Sequence, residues 1–403
     1  MPRSPSDDGS FRTMPQVLVL DGRQRSALAA VRSFGRRGVA VLVADVNRGS
    51  LAGSSRYATQ SLAYPDPYDK PELFVDWVSR TARRYRVDAV LPLTDVTTMV
   101  LVAKSPDLGA IPLLCAPRKA YELCSDKAKL MELAESVGVT TPGAQCVYSV
   151  DELRRVLAGR AYPVVLKPAR SKLWLDGRVV GTEVYIAHTY DQAIQYARQQ
   201  SWLGYAPCIV QNYVEGHGVG VFALYGSGRA QAWFAHRRLR EKPPSGGVSV
   251  LSESVALTAP LRSAAERVLD AAGWNGAAMV EFRVAADGTP YLMEVNARLW
   301  GSLQLAVDAG VDFPWLLYLS TVATELPETA DYCTGVRLRW LLGDVDNLVI
   351  QLRDSTLSGA DRLRAVTTFV ASCFDRRSRQ EVFRLSDPLP AVHEIREWLR
   401  AIR

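Results

Sequence analysis

Glu281, Glu294 and Asn296 flank the dipeptide Asp287-Gly288 in MVEFRVAADGTPYLMEVNAR, residues 279–298. Asp-Gly tolerates positive φ at both positions and marks a tight hairpin turn. A two-residue turn centred there, or a four-residue loop over 286–289, sets Glu281 directly opposite Glu294. Met279, Glu281 and Arg283 then share a face with Leu292, Glu294, Asn296 and Arg298. Val280, Phe282 and Val284 share the other face with Tyr291, Met293 and Val295, which reads as core. Two facing carboxylates ~5 Å apart repel by about 3 kcal/mol at an effective dielectric near 20. A favourable cross-strand pair contributes only roughly 0.2–1 kcal/mol. Something must offset the repulsion: Arg283 or Arg298, a solvated outer face, or a bound cation. Two glutamates and an asparagine are hard oxygen ligands of the kind Mg²⁺ takes together with waters and substrate phosphates. Zinc would call for His or Cys, and this stretch has neither. On this basis Glu294→Gln is expected to relieve a like-charge contact in the metal-free protein.

The elements that must position these residues follow from the hydrophobic runs. The chain has 403 residues, 48% hydrophobic and 22% charged, enough for two or three domains with a full core. Residues 1–15 are polar and rich in Pro, Ser and Gly, and read as a disordered tail. Over 16–124 the runs VLVL, VAVLVADV, VDAVLPLTD and IPLLCAP alternate with helical stretches at 26–37 and 73–84. That alternation predicts an α/β domain with a parallel, helix-flanked sheet. Its first turn, DGRQRS, is not G-x-G-x-x-G, so a dinucleotide site is not supported and the domain reads as scaffold or substrate wall.

From residue 125 the texture changes to an α+β pattern. SDKAKLMELAESVGVTTP opens on capping residues, runs as a helix and stops at Gly138 and Pro142. YPVVLKPA is a strand delivering Lys167, and CIVQNYVEG a strand entering a glycine turn. GVGVFALY and RAQAWFAHRRL are successive antiparallel strands, followed by the loop REKPPSGGVSV, a helix over 260–272 and the hairpin. The organisation expected is an α+β region over 125–330, divided near 215 and 216, and a C-terminal α+β region over 331–403.

Several classes are excluded or disfavoured. Net charge is +6, but the arginines are scattered, which argues against nucleic acid. No apolar run reaches ~18 residues and residues 1–15 lack the apolar stretch of a secretory signal, so a cytoplasmic protein without a membrane partner is expected. The six cysteines form no C-x-x-C pair and read as reduced thiols rather than a zinc site.

The pattern Glu281…Glu294-Val-Asn296-Ala-Arg298 resembles the metal-binding E…E-x-N-x-R of the ATP-grasp superfamily. Asp126-Lys127, VVLKP with Val165 and Lys167, and IVQNYVEG occur upstream in the family's order, and the resemblance spans about 16–325. It implies a pre-ATP-grasp α/β domain followed by an ATP-grasp fold of two α+β subdomains. It also implies that Lys127 and Lys167 contact the phosphates of ATP, beside Val165 and Ser171. Gln211, Asn212, Tyr213 and Val214 would take the adenine edge. Glu281, Glu294 and Asn296 would hold Mg²⁺, or Mn²⁺ in its place. The family's loop after the second lysine is often glycine-rich, whereas ARSKLWLDGRVVG has only Gly177 and Gly181. Ser171 and Lys172 then replace backbone amides over the phosphates, or the loop reaches toward the second substrate.

Such enzymes mostly activate a carboxylate as an acyl phosphate. His236, Arg237, Arg238, Arg240 and Lys242 concentrate charge before the Pro/Gly/Ser stretch at 243–249, which reads as a mobile cover. Arg238, Arg240 and Arg298 are the expected catalytic arginines, suited to carboxylate and phosphate by their bidentate geometry; His236 reads as a hydrogen-bonding wall. WGSLQLAVDAGVDFP resembles a subgroup of carboxylate–amine ligases and carbamoyl-phosphate-synthase-like proteins. The leading expectation is a ligase joining small-molecule carboxylate and amine substrates, with a homodimer admitted. Bicarbonate activation, a small-molecule kinase and a non-catalytic ATP-binding module are the alternatives.

Overall fold

The computed structural model describes residues 14–402 apart from 110, 176–177, 245 and 323–330. Most of the tail assigned to 1–15, and Gly177, therefore lie outside the described residues. The first sheet is parallel in the order β3-β2-β1-β4, with β1 (Gln16–Val19), β2 (Ala40–Asp45), β3 (Gln60–Ala63) and β4 (Ala89–Leu91). β1 is buried on both faces, as an unbroken Val/Leu run in a parallel sheet should be. Val17 and Val19 pack under α1 (Arg25–Gly35), and Leu18 and Leu20 under α2 (Pro71–Tyr85). IPLLCAP supplies only a bridge from Leu113 to Val90 rather than a strand. α3 (Asp95–Ala103) starts from Thr94, whose side chain accepts from Thr97 N in a reciprocal capping box. α4 (Arg118–Cys124) and α5 (Lys127–Ser136) then lead out, with the Asp126 side chain capping α5.

A second, antiparallel sheet runs β5-β10-β6-β9: β5 (Gln145–Val147), β6 (Val164–Pro168), β9 (Tyr185–Ala187) and β10 (Cys208–Asn212). α6 (Val150–Leu157) and α7 (Tyr190–Gln199) cover one face. Between β6 and β9 the hairpin β7 (Lys172–Leu175) and β8 (Arg178–Gly181) stands apart. It touches the first domain, Val179 N donating to Tyr68 O at 3.1 Å and Lys172 lying over the Tyr68 ring.

The third sheet has seven strands, β15-β14-β11-β12-β13-β16-β17. They are β11 (His217–Gly226), β12 (Arg229–Lys242), β13 (Val248–Ser254), β14 (Gly276–Val284), β15 (Pro290–Asn296), β16 (Arg337–Arg339) and β17 (Ser378–Gln380). α8 (Ala259–Ala271) packs on one face; α9 (Leu303–Ala309) and α10 (Phe313–Val322) join the other face to the first domain. The segment after 330, expected as a region of its own, lends β16 and β17 to this sheet. Its helices are α11 (Leu341–Arg353), α12 (Gly359–Cys373) and α13 (Leu389–Ile402).

The hairpin at β14–β15 departs from expectation in a way that preserves its main pairing. Ala285 N donates to Thr289 O, and Gly288 takes φ +87°, giving a three-residue loop. That turn alone would put every later pair out by one. A bulge at Met293 corrects it: Phe282 pairs with Leu292, then Glu281 with Glu294 and Met279 with Asn296. Leu292, expected beside the glutamates, therefore lies fully in the core, and Met293 leaves the core-facing set.

Candidate active site

The two glutamates face each other as cross-strand neighbours, and the structure fills the space around them with donors. Asn296 Nδ2 lies 3.2 Å from Glu281 Oε1 and 3.2 Å from Glu294 Oε1. Arg238 Nη2 donates to Glu281 Oε1 at 2.7 Å, and Nη1 to Glu241 at 2.9 Å. Lys127 Nζ lies 3.4 Å from Glu294 Oε2 and donates to Ser171 Oγ at 2.8 Å. Lys167 Nζ donates at 3.3 Å to the carbonyl of Met293, the residue bulged out of register. Burial, then Glu294, pushes the Glu281 carboxyl above its ordinary range, with Arg238 offsetting part of it. Burial also opposes ionisation of Glu294, but Lys127 and then Lys167 hold it below the ordinary range. Lys167 itself is lowered to about 8, by burial first and then by Lys127.

Among the described residues no group of three or more His, Cys, Asp and Glu side chains could hold a metal. The donor set here is two carboxylates and an amide. It fits a hard cation that completes its shell with water and phosphate oxygens, and not a soft metal held by the protein alone. Glu281, Glu294 and Asn296 would hold Mg²⁺, the Asn296 amide turning its oxygen inward.

The residues expected on the nucleotide side lie on or just after the strands of the second sheet. Val165 and Lys167 share a face of β6, with Gln211 paired to Val165 across β10. Gln211 is buried, and its Nε2 has no partner among the described residues. Asn212 is exposed and accepts from Arg160, and Tyr213 lies against Arg283. Val214, half-buried, follows in the connection to β11.

Of the three expected arginines, two reach the site. Arg298 is held by a bidentate pair with Asp95 of the first domain, 2.8 Å and 3.2 Å. Arg240 does not reach it. Leu239 is an extra residue in β12 against β13, so the strand's alternation breaks between Arg238 and Arg240. Arg240 points to the far face, where it bonds Asp344 at 2.7 Å and Ser372 at 2.9 Å and lines a separate cavity under α11 and α12. Of the expected cover, Gly247, Val248 and Ser249 line the pocket beside Glu281, while Ser245 lies outside the described residues.

A family model for ATP-grasp in the biosynthetic pathway with Ter operon matches residues 205–343, which include both glutamates, Asn296 and both site arginines. The carbamoyl phosphate synthase large chain, N-terminal section, of Methanopyrus kandleri is 22% identical over 342 residues. That match covers 81% of this chain and 58% of the relative's own length. The chain carries an ATP-grasp domain. The L-amino acid ligase of Bacillus licheniformis superposes with a TM-score of 0.61 at 18% identity, over 76% of this chain and 74% of that one. The biotin carboxylase domain dimer of the 2-oxoglutarate carboxylase from Hydrogenobacter thermophilus, in complex with MgADP, ADP and bicarbonate, superposes with a TM-score of 0.65. It is 16% identical, over 81% of this chain and 74% of that one.

Several residues around this ATP-grasp cleft carried no motif. Asp95 shows in sequence only as the residue after a capping threonine. Asp21, buried at φ +59°, accepts from Leu93 N, Thr94 N and Thr97 Oγ1 and so fixes the turn that presents Asp95. Arg25 and Trp300 also line the pocket beside Glu281. Only the arginine excess of DGRQRS could have pointed to Arg25. His236, expected as a wall, is one: it is buried, and burial, then Arg238, lowers its pKa to about 3.

Proposed function

We propose that the protein is an ATP-dependent, ADP-forming ligase that activates a carboxylate as an acyl phosphate and couples it to an amine. The observation that carries this is the opposed Glu281–Glu294 pair with lysines from two other elements converging on it. Lys127 and Lys167 neutralise phosphate oxygens, with Val165, Ser171 and the Gln211–Val214 segment around the nucleotide. Mg²⁺ held by Glu281, Glu294 and Asn296 supplies charge withdrawal from the γ-phosphoryl group. A substrate carboxylate oxygen attacks the γ-phosphorus and ADP leaves. Arg238 and Arg298, each fixed by a carboxylate, stabilise the charge developing on the acyl phosphate without having to reorganise. The amine nitrogen then attacks the acyl carbon, loses a proton, and inorganic phosphate departs with one former carboxylate oxygen.

The test is incubation of the full chain with MgATP, pooled ¹⁸O-labelled carboxylates and either hydroxylamine or pooled amines. The expected result is ADP, hydroxamate or amide, and ¹⁸O in the released phosphate. Turnover of bicarbonate alone would assign a carboxylating reaction. A phosphorylated product without phosphate release would assign a kinase. ATP binding with no turnover of any acid would make this a binding module.

A further inference from the structure

Beside the carboxylate pair lies a pocket of ≈280 Å³. Its walls hold unused polar groups that neither nucleotide nor metal accounts for. Trp300 Nε1 and His236 Nε2, on side chains 2% and 1% exposed, have no hydrogen-bond partner among the described residues. Leaving a buried donor or acceptor unpaired forfeits the hydrogen bond it makes to water in the unfolded chain, so such groups call for a polar ligand. Gly220, opposite Glu281 on β11, makes room for the His236 ring: a Cβ there would lie 2.8 Å from it.

Arg25 enters the same pocket from the first turn of α1, beside Gly301, with Nη2 3.7 Å from where a Cβ would stand. Its guanidinium stacks on Trp340 at 3.9 Å, and Nη1 bonds Glu381. Nε and Nη2 make no hydrogen bond among the described residues. A guanidinium has five donors in a fixed plane and can serve a second anion while keeping the first. Trp340 and Glu381 hold that plane in place, so little side-chain entropy is lost when an anion arrives.

We propose that this pocket takes a compact acid with two anionic groups. The carboxylate to be phosphorylated lies at the Glu281–Glu294 end, and the second group, carboxylate or phosphate, is bound by the free edge of Arg25. This subsite presupposes the acyl-phosphate chemistry proposed above for the identity of the reacting end. Arg25 and the Glu281–Glu294 end line one and the same pocket, so the second charge is assigned to the activated acid and not to the amine.

Matched acids test it: succinate against butyrate, glutarate against pentanoate, and 3-phosphoglycerate against glycerate. Two readouts are taken on the full chain: ADP-coupled hydroxamate formation with MgATP and hydroxylamine, and calorimetric titration of each acid in the presence of MgADP. The dianionic member of at least one series should bind and react at least tenfold better than its partner, and the better series identifies the second group. Arg25→Lys keeps a charge for Glu381 but loses the fork. The Arg25→Gln/Glu381→Gln double variant removes both buried charges together, so neither leaves an orphan. Both should weaken the dianion roughly 10- to 100-fold and leave the monoanion and the KM for ATP unchanged. Acids activated without preference for dianions, or Arg25 variants that lose both classes equally, would overturn the subsite and leave the ligase reading standing. Arg25-dependent dianion binding with no hydroxamate would keep the subsite and remove the acyl-phosphate reading. Neither binding nor hydroxamate would remove both.

Discussion

Glu294 differs from its partner in which cations stand closest. Lys127 lies 3.4 Å from it and Lys167 bonds the preceding carbonyl, whereas Glu281 leans on Arg238. Sequence alone makes the pair a repulsive contact, from which Glu294→Gln should gain stability. The structure reverses that sign. Asn296 donates to both carboxylates, and the lysines keep Glu294 ionised in spite of burial. Removing its charge strands two buried ammonium groups beside each other. Glu294→Gln should therefore abolish ADP formation and also lower the stability of the ligand-free protein, on the order of 1 kcal/mol. Denaturant unfolding reads the second effect; a more stable variant would mean that the carboxylate repulsion outweighs the lysine contacts.

Two bulges, one residue each, decide what the strands present. In β15 the extra Met293 cancels the one-residue offset of the three-residue turn, so Glu281 still meets Glu294. In β12 the extra Leu239 sends Arg240 away from the face that carries His236 and Arg238. The alternation of apolar and polar residues made both strands, the Asp-Gly turn and the opposed glutamates legible. A bulge leaves no such trace, because inserting one residue into a ladder changes no local preference strongly. This is why Arg238 lies beside Glu281 as expected while Arg240, expected beside it, does not. Arg240 instead helps neutralise Asp344, which is fully buried and also bonded by Arg339 at 2.6 Å. Arg240→Ala should thus cost about 2 kcal/mol of stability, less than the 3–5 kcal/mol of a fully orphaned buried charge because Arg339 stays. The folded variant should keep its affinity for ATP and most of its turnover. Loss of turnover without loss of stability would return Arg240 to the chemistry.

Over the whole molecule, the pocket is closed by residues from opposite ends of the chain. Arg32 of α1 is buried and donates to the side chain and carbonyl of Asp387 and to the carbonyls of Glu381 and Val382. That clasp places Glu381 under Arg25, and Trp340, at the start of α11, completes the stack. Contacts more than 200 residues apart have no period or spacing to betray them, so the parallel sheet is legible from its runs while Arg25, Asp95 and the C-terminal clasp are not. Glu394 of α13 reports on this junction. Its Oε1 accepts from Trp340 Nε1 at 2.7 Å, near Arg25 and Glu381. Burial first, with Glu381 adding to it against Trp340 and Arg25, pushes its carboxyl up to about 7. An unfolded glutamate ionises near pH 4.3. Between that pH and about 7 the unfolded chain gives up a proton the folded chain retains, so stability falls as pH rises through this window and the loss is complete above it. Glu394→Gln keeps an acceptor for Trp340 and removes the titration. It should match the wild type near pH 4 and exceed its stability at pH 8 by on the order of 1 kcal/mol, the helix edge being partly exposed. Unfolding at the two pH values decides it: a difference that does not grow with pH would mean that Glu394 is ionised in the folded protein across the range and that the junction is open to water.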